Sequence, residues 1–260
     1  MAGSQIRISI VILNYNRLEE TRHTVAFLRE LIAGRNDTEV IAVDNGSSDG
    51  TASYLNSQLD FLTPVMLPEN RGVGGYAAGF ERGKGDYLLV LDDDSHPRDG
   101  ITLDRLIEQL DSAPETGVVA CRIEDGNGKR ISTWHLPRQD RKGPSMAFVG
   151  CGFAIRRRLF EEIGWYAEHF FLYQNDVDVA FQVYLRGFSI VYDPGCRVIH
   201  RVASANRSRK RQVFYATRNS LWLIRMYYTW PGKLFPKLVG AVDLTREVLD
   251  DWYSYFHQCS

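Results

Sequence analysis

The sequence predicts an α/β protein: a three-layer α/β/α sandwich around a mainly parallel central sheet, followed by a helical C-terminal tail. Three observations predict it. Strands and helices alternate through the first half of the chain, an order that calls for parallel strands joined by helical crossovers. The run Tyr87-Leu88-Leu89-Val90-Leu91 is unbroken and apolar, as a buried strand is. It ends in Asp92-Asp93-Asp94, and polar clusters also follow the three strands before it.

The first strand spans Ile6 to Leu13. A helix over Glu19 to Ile32 follows, because Val25, Leu28, Leu31 and Ile32 form one apolar stripe. Glu39 to Val43 is the second strand. Ser47-Ser48-Asp49-Gly50 caps a helix from Thr51 to Leu59, since short polar side chains bond the free N–H groups of a first turn. Thr63 to Leu67 is the third strand, and the glycine-rich stretch Gly72 to Gly83 holds a short helix around Tyr76 to Arg82. After the fourth strand come a helix at Leu103 to Leu110 and a strand at Gly117 to Arg122. Gly126 to Pro144, rich in Gly, Pro, Arg and Lys, predicts a hairpin with a mobile loop. The chain returns to the core over Ala147 to Ile155. A short helix, Arg156 to Ile163, is closed by Gly164, and another, Val177 to Leu185, is stopped by Gly187. Ser189 to Tyr192 is a last strand, ended by Asp193-Pro194-Gly195. Beyond His200 lies a basic run (Arg201, Arg207, Arg209, Lys210, Arg211), then helices over Val213 to Tyr228 and Leu238 to Tyr255.

A chain of 260 residues fits one large domain, or one domain with a tail. The net charge of -1 provides no global field for nucleic acid or membrane, so there is no strong nucleic-acid signal. Cys121, Cys151, Cys196 and Cys259 show neither CxxC nor zinc spacing and read as reduced thiols of a cytosolic protein. Met1 to Arg7 lacks the apolar stretch of a signal peptide, and no apolar run reaches about 18 residues. The expectation is a cytoplasmic protein, with peripheral contact at the inner membrane face left open. The aromatic tail (Trp222, Tyr227, Tyr228, Trp230, Trp252, Tyr253, Tyr255, Phe256) is denser than an exposed helix tolerates. It predicts core packing or a homodimer interface ahead of membrane contact.

The chemistry is carried by the four strand-end clusters: Asn14-Tyr15-Asn16-Arg17, Asp44-Asn45-Gly46-Ser47, Asn70-Arg71-Gly72 and Asp92-Asp93-Asp94. Consecutive parallel strands bring such ends to one edge of the sheet, where α/β proteins bind nucleotides. Three neighbouring acids repel one another, and a hard divalent cation that also holds phosphate relieves the repulsion. On that cluster alone, an acidic turn capping the helix near Ile101 is an equal reading. A pyrimidine-type ring can stack on Tyr15 and donate its N–H to the Asp44 carboxylate, and Arg71 offers a planar fork to phosphate or base. Neither GxxxxGK[ST] nor GxGxxG follows the first strand, so phosphate charge must be met by a metal and side chains.

Taken together, Ser9 to Arg17, Val43 to Thr51, Asn70-Arg71-Gly72 and Leu91 to Asp94 resemble a family-2 glycosyltransferase of the GT-A fold. Phe171-Leu172-Tyr173-Gln174-Asn175-Asp176-Val177-Asp178-Val179, with Gly187, Pro194 and Val198-Ile199-His200, resembles the acceptor-side block of its rhamnosyltransferase-like and galactofuranosyltransferase-like branch. The likeness covers residues 6 to 200. It implies a catalytic domain at 1–200, with a nucleotide-binding half at 1–122 and an acceptor half at 123–200; beyond it, the basic run reads as a lid that orders over donor and the rest as a helical aromatic tail, 201–260. It implies a UDP- or dTDP-sugar donor, Mn2+ or Mg2+, and inversion at the anomeric carbon. The acceptor hydroxyl would belong to a glycan, a lipid-linked saccharide or a natural product. Position by position, it implies Asp94 as the direct metal ligand, Asp92 as support to metal or ribose, and His200 as completing the metal shell. Asn14, Tyr15, Arg17, Asp44, Asn45, Asn70, Arg71, Gly72, Asp92 and Asp93 make up the implied donor-binding set. Asp176 matches the general base, but Asn175 stands where the family's paired acid belongs. Asp178 caps or orients its helix. Gly150, Cys151 and Gly152 match a small-residue segment beside the donor sugar, and Trp134 and His135 lie where an acceptor can touch them.

Two other readings compete. A sugar nucleotidyltransferase needs a glycine-rich signature with Lys or Arg after the first strand, where Asn14-Tyr15-Asn16-Arg17 stands instead. A catalytically decayed nucleotide-sugar-binding or scaffold protein would explain Asn175.

Overall fold

The computed structural model describes residues 5–201 and 209–227. The elements run β1 (Ile8–Asn14), α1 (Leu18–Leu31), β2 (Thr38–Asp44), α2 (Thr51–Asn56) and β3 (Thr63–Met66). A 3-10 turn at Gly72–Gly75 leads into α3 (Tyr76–Phe80), then β4 (Tyr87–Asp92), β5 (Ser95–Pro97) and α4 (Gly100–Ser112). The second half holds β6 (Thr116–Glu124), β7 (Gly143–Pro144), β8 (Phe153–Arg156), α5 (Arg157–Ile163), α6 (Asn175–Leu185), β9 (Ser189–His200) and α7 (Arg209–Tyr227).

One sheet carries the fold, in the order β3-β2-β1-β4-β8-β6-β9-β5, with β7 also on β9. Strands β1 to β4 are parallel, whereas β8 inserts antiparallel between β4 and β6. The apolar runs of β1, β2 and β4 are covered on both faces, so their side chains are buried throughout. Register sets Asn14 opposite Asp44 and Leu13 opposite Asp92, which brings the first, second and fourth polar clusters to one sheet edge.

Several expectations are corrected. The last strand does not end at Asp193-Pro194-Gly195. It runs on to His200, because its pairing with β6 skips from Cys121–Asp193 to Arg122–Arg197 and takes up Pro194 to Cys196 as a bulge. Proline lacks an N–H for the ladder, and a bulge is where a strand tolerates it. Ser95–Pro97 is a strand of three residues, too short to show any period, that pairs with the end of β9. Asp99 caps α4, its carboxylate accepting from the Thr102 N–H at 2.9 Å, so the acidic turn at 92–94 is not the helix cap. The second helix stops at Asn56 rather than Leu59.

Of the predicted hairpin at Gly126 to Pro144, only a tight reversal with one antiparallel bridge, Glu124 to Arg130, is formed; Gly143–Pro144 pairs with β9 instead, and polar contacts pin the rest. The Tyr192 hydroxyl donates to Asp140 at 2.6 Å, Arg122 pairs with Asp140 and Glu124, and Arg130 donates to the Arg138 carbonyl. Of the tail, α7 packs Leu223 onto Phe170 and Val177, with Trp222, Tyr227 and Trp134 around them. Trp222 and Tyr227 are therefore core residues. The predicted helix at Leu238 to Tyr255, the aromatics from Tyr228 onward, and Arg207 lie outside the described residues. Cys121, Cys151 and Cys196 are buried free thiols. Among the described residues, no helix is long and apolar enough to cross a membrane.

Candidate active site

The acidic turn is shaped by its own backbone. The Ser95 hydroxyl accepts from the Asp92 N–H at 2.8 Å and closes the turn between β4 and β5. Pairing of Ser95 with His200 then delivers the histidine to the acids. Arg17 reaches across from the β1 loop, donating to Asp93 at 2.6 Å and to Asp94 at 2.8 Å. The Tyr76 hydroxyl donates to Asp92 at 2.9 Å and to the Leu91 carbonyl at 2.6 Å.

Charge in this turn is only partly compensated. Burial, reinforced by Asp94, raises Asp92, while His200 and Tyr76 pull it down less strongly. Burial pushes Asp93 up to about 8 despite Arg17. Burial would also raise Asp94, but His200 and Arg17 outweigh it and hold that carboxyl well below the usual range. For His200, burial disfavours charge, yet the facing Cys151 and Asp94 raise it to about 11. Without another cation, a protonated His200 and Arg17 supply the positive charge that the acids need.

Asp94 Oδ1 lies 3.1 Å from His200 Nε2 as an ion pair, and neither buried atom has a well-formed hydrogen bond besides. Buried polar atoms without partners are costly unless something fills the role. Carboxylates and an imidazole around such a space suit a divalent cation. Asp92, Cys151 and His200 bring one ligand atom each within 4.8 Å of one another, and Asp94 approaches the same histidine at 3.1 Å.

On the nucleotide side, the structure divides the implied donor-binding set. Asp44 is buried; its Oδ2 accepts from the Ser47 N–H at 3.0 Å, and Oδ1 has no partner, leaving an acceptor in place for a base N–H. Tyr15 is 37% exposed on the rim, as a stacking platform requires. Asn14, Asn45 and Asn70 are committed to internal bonds. Asn14 ties β1 to β2 through the Val43 carbonyl, at 3.0 Å, and accepts from Thr21. Asn45 donates to Asn70 and the Gly72 carbonyl and accepts from the Arg71 N–H. These three shape the loops, and Arg17 is engaged with the acids. Arg71 pairs with Glu168 across the site. Gly72 sits at φ +58°, and a Cβ there would overlap the Phe171 backbone.

The acceptor side hangs on the loop before α6. Phe171, Tyr173 and Gln174 all adopt positive φ, between 58° and 65°, to turn Asn175 and Asp176 inward. The buried Asn219 of α7 holds that loop, its side-chain amide donating to the carbonyls of Phe170 (2.9 Å), Leu172 (2.7 Å) and Tyr173 (2.8 Å). Asp176 Oδ1 accepts from the Val177 N–H at 2.9 Å, and Oδ2 lies 3.4 Å from His135 Nε2. A Cβ on Gly150 would stand 3.9 Å from Asp176 Oδ2, while the next residue, Cys151, belongs to the acid–histidine cluster. Gly150-Cys151 is therefore the seam where the two halves of the site meet.

Other acceptor-side expectations shift. Gly152 has no room for a Cβ against Ile123 and Val198, so it serves sheet packing rather than ligand approach. Trp134 stacks on His135 at 3.7 Å and belongs to the α7 cluster, not to an open surface. Asp178 does not cap its helix. It accepts from the Tyr227 hydroxyl at 2.5 Å and anchors α7; burial raises its carboxyl, and Tyr227 lowers it less strongly. Arg201, read as part of a lid, is built into the fold by Glu20, Thr24 and the Asp93 carbonyl. Sequence reading missed Tyr76 on Asp92 and Asn219 under the base loop. Tyr76 carried one faint signal, a tyrosine among small residues just ahead of the acidic strand.

A parallel half with polar strand ends, an acidic turn at the end of β4 and an inward carboxylate at the start of α6 fit the GT-A class of glycosyltransferases. The model for Glycosyl transferase family 2 matches residues 9–178, and the chain belongs to that family. It is a transferase enzyme. An N-acetylglucosaminyl-diphospho-decaprenol L-rhamnosyltransferase of Mycobacterium tuberculosis is 25% identical over 280 residues, covering 87% of this chain and 88% of that protein. An undecaprenyl-phosphate 4-deoxy-4-formamido-L-arabinose transferase of Pseudomonas fluorescens is 31% identical over 164 residues. That match covers 58% of this chain and 47% of the relative, so the chain spans about half of its length. In fold, the mannosyltransferase PcManGT of Pyrobaculum calidifontis, solved with GDP-Man and Mn2+, superposes with a TM-score of 0.69 at 18% identity, over 93% of this chain and 69% of that one.

Proposed function

We propose that the chain is a metal-dependent, inverting glycosyltransferase that moves a sugar from a UDP- or dTDP-sugar to a hydroxyl of a lipid-linked saccharide. The observation that carries this is the meeting of Asp176 with the Asp92–Asp94–His200 cluster at the Gly150-Cys151 seam. The mycobacterial relative, named for a decaprenol-linked N-acetylglucosaminyl acceptor, supports the acceptor class, and the pseudomonad one, named for undecaprenyl phosphate, supports only the polyprenyl carrier. The partnerless Asp44 Oδ1 supports a pyrimidine donor, whose ring N–H it can accept.

The residues then divide the work. Tyr15 stacks the base and Asp44 orients it. Asp92, Asp94 and His200 would hold the divalent cation, with Arg17 and Tyr76 fixing the acids around it. When bound, that cation supplies neutralising charge for the leaving diphosphate. Asp176 takes the proton of the acceptor hydroxyl as it attacks the anomeric carbon from the face opposite the leaving group. His135, 3.4 Å away, orients that carboxylate in place of the acid that Asn175 replaces.

The test is a panel of UDP-, dTDP- and GDP-sugars offered with polyprenyl-diphosphate saccharides, in Mn2+ and after chelation. Transfer with inverted stereochemistry, abolished by the chelator, is expected. Transfer that persists undiminished without metal would overturn the metal assignment, and binding without transfer or hydrolysis would favour a scaffold.

A further inference from the structure

Cys151 marks the seam in the reading above but is given no chemical role there, yet the fold places its thiol against Asp92 and His200. β8 runs antiparallel to β4 with Val90 opposite Phe153, and two more steps of that register set Cys151 against Asp92. His200 arrives from β9, opposite Ser95. The Asp92 carboxylate, the buried Cys151 thiol and the His200 imidazole thus converge within 4.8 Å, and among the described residues no other trio of such donors does so. Beside this trio, His200 Nε2 and Asp94 Oδ1 are buried 3.1 Å apart with no hydrogen bond from any other group. Gly152, locked against Ile123 and Val198, fixes the turn that carries the thiol.

We infer that Cys151 is itself a ligand, so that this chain holds its cation with sulfur, nitrogen and oxygen together. The inference rests on the Asp92–His200 centre being a divalent-cation site, and it names the cation the centre selects. Thiolate sulfur is soft and imidazole intermediate, so Zn2+ and Co2+ gain from this donor set, whereas Mg2+, which favours all-oxygen shells, does not. On binding, the Cys151 S–H and the His200 Nε2–H bonds break, sulfur and nitrogen each bond the metal, and both protons pass to water. The site is then selective for softer ions and open to inhibition by thiol-seeking metals.

The full chain, stripped with a chelator and loaded with zinc chloride, is examined by X-ray absorption at the zinc edge. A sulfur shell at about 2.3 Å is expected. In Cys151→Ser that shell disappears and Zn2+ binding weakens at least roughly tenfold, the lower end of what losing even an outer partner of a metal site costs. Cys121→Ser, altering a buried thiol elsewhere in the sheet, keeps the shell. A zinc shell of nitrogen and oxygen alone in the unaltered protein overturns the inference and leaves the cation site standing. A sulfur shell that survives Cys151→Ser overturns it too. Absence of calorimetric binding for Zn2+, Mn2+ and Mg2+ alike overturns both the inference and the cation site. The spectrum of the unaltered chain decides the matter even if the serine variant fails to fold.

Discussion

Replacing Asn219 with alanine removes one amide that donates to three carbonyls of the loop leading to Asp176. The Phe170 carbonyl keeps a bond from Arg218 at 2.9 Å and another from the Leu172 N–H, so it stays satisfied. The Leu172 and Tyr173 carbonyls lose the bonds that Asn219 supplies. An unsatisfied buried acceptor costs about 1–3 kcal/mol, and these two are partly wetted, so the expected loss is about 2–4 kcal/mol. For a chain of this size that lowers the melting temperature by roughly 4–16 °C. Because Phe171, Tyr173 and Gln174 hold positive φ, the loop has conformations to relax into once released. Calorimetry reads the stability, hydrogen exchange reads residues 168–178, and steady-state kinetics read the base. The expected pattern is faster exchange in that loop and a fall in kcat with donor KM nearly unchanged. Unchanged melting temperature and unchanged exchange in that loop would refute the claim that Asn219 holds it.

Other outcomes follow from the same geometry. Asp176→Asn should leave donor binding by calorimetry intact and remove transfer; near-normal turnover would reject Asp176 as base. Arg17→Met strips compensation from two buried acids, and since its side chain is 22% exposed the loss should fall near the lower end of the roughly 3–5 kcal/mol seen for broken buried pairs. Saturating Mn2+ should recover more of the melting temperature in that variant than in the unaltered protein, and equal shifts would argue against a shared charge centre. Gly72→Ala forces a side chain into a left-handed position against the Phe171 backbone and should cost about 2–4 kcal/mol from strain and overlap, read by denaturant unfolding. Asp44→Ala should weaken UDP binding while leaving thermal stability nearly unchanged, since only one backbone bond, to Ser47, is lost; a large stability loss would make Asp44 structural.

What could be read from the sequence was whatever is local. The buried runs of β1, β2 and β4 announce themselves by composition, and their parallel order fixes the shared edge that carries Asp44 and Asp92. The second half resisted because its structure is set by pairing across long separations. Nothing near Pro194 says that β9 continues past it; that depends on β6 accepting a bulge. Nothing near Ser95 says that three residues form a strand, and only that strand explains how His200 reaches Asp94. The polar loops were over-read in one respect. Asn14, Asn45 and Asn70 looked like ligand contacts because they are polar residues at strand ends, but buried backbone groups nearby consume them. A side chain that braces a loop and one that touches a ligand look alike until the partners are known.

The last described helix also has a meaning in the order of synthesis. Every strand of the sheet precedes α7 along the chain, yet Asn219 and Tyr227 on that helix complete the support of the loop and helix bearing Asp176. A chain emerging from the ribosome can therefore assemble the sheet edge bearing Asp44 and Asp92 well before the loop bearing Asp176 is held in place. On the function proposed above, a protein truncated ahead of residue 209 should bind donor without transferring its sugar.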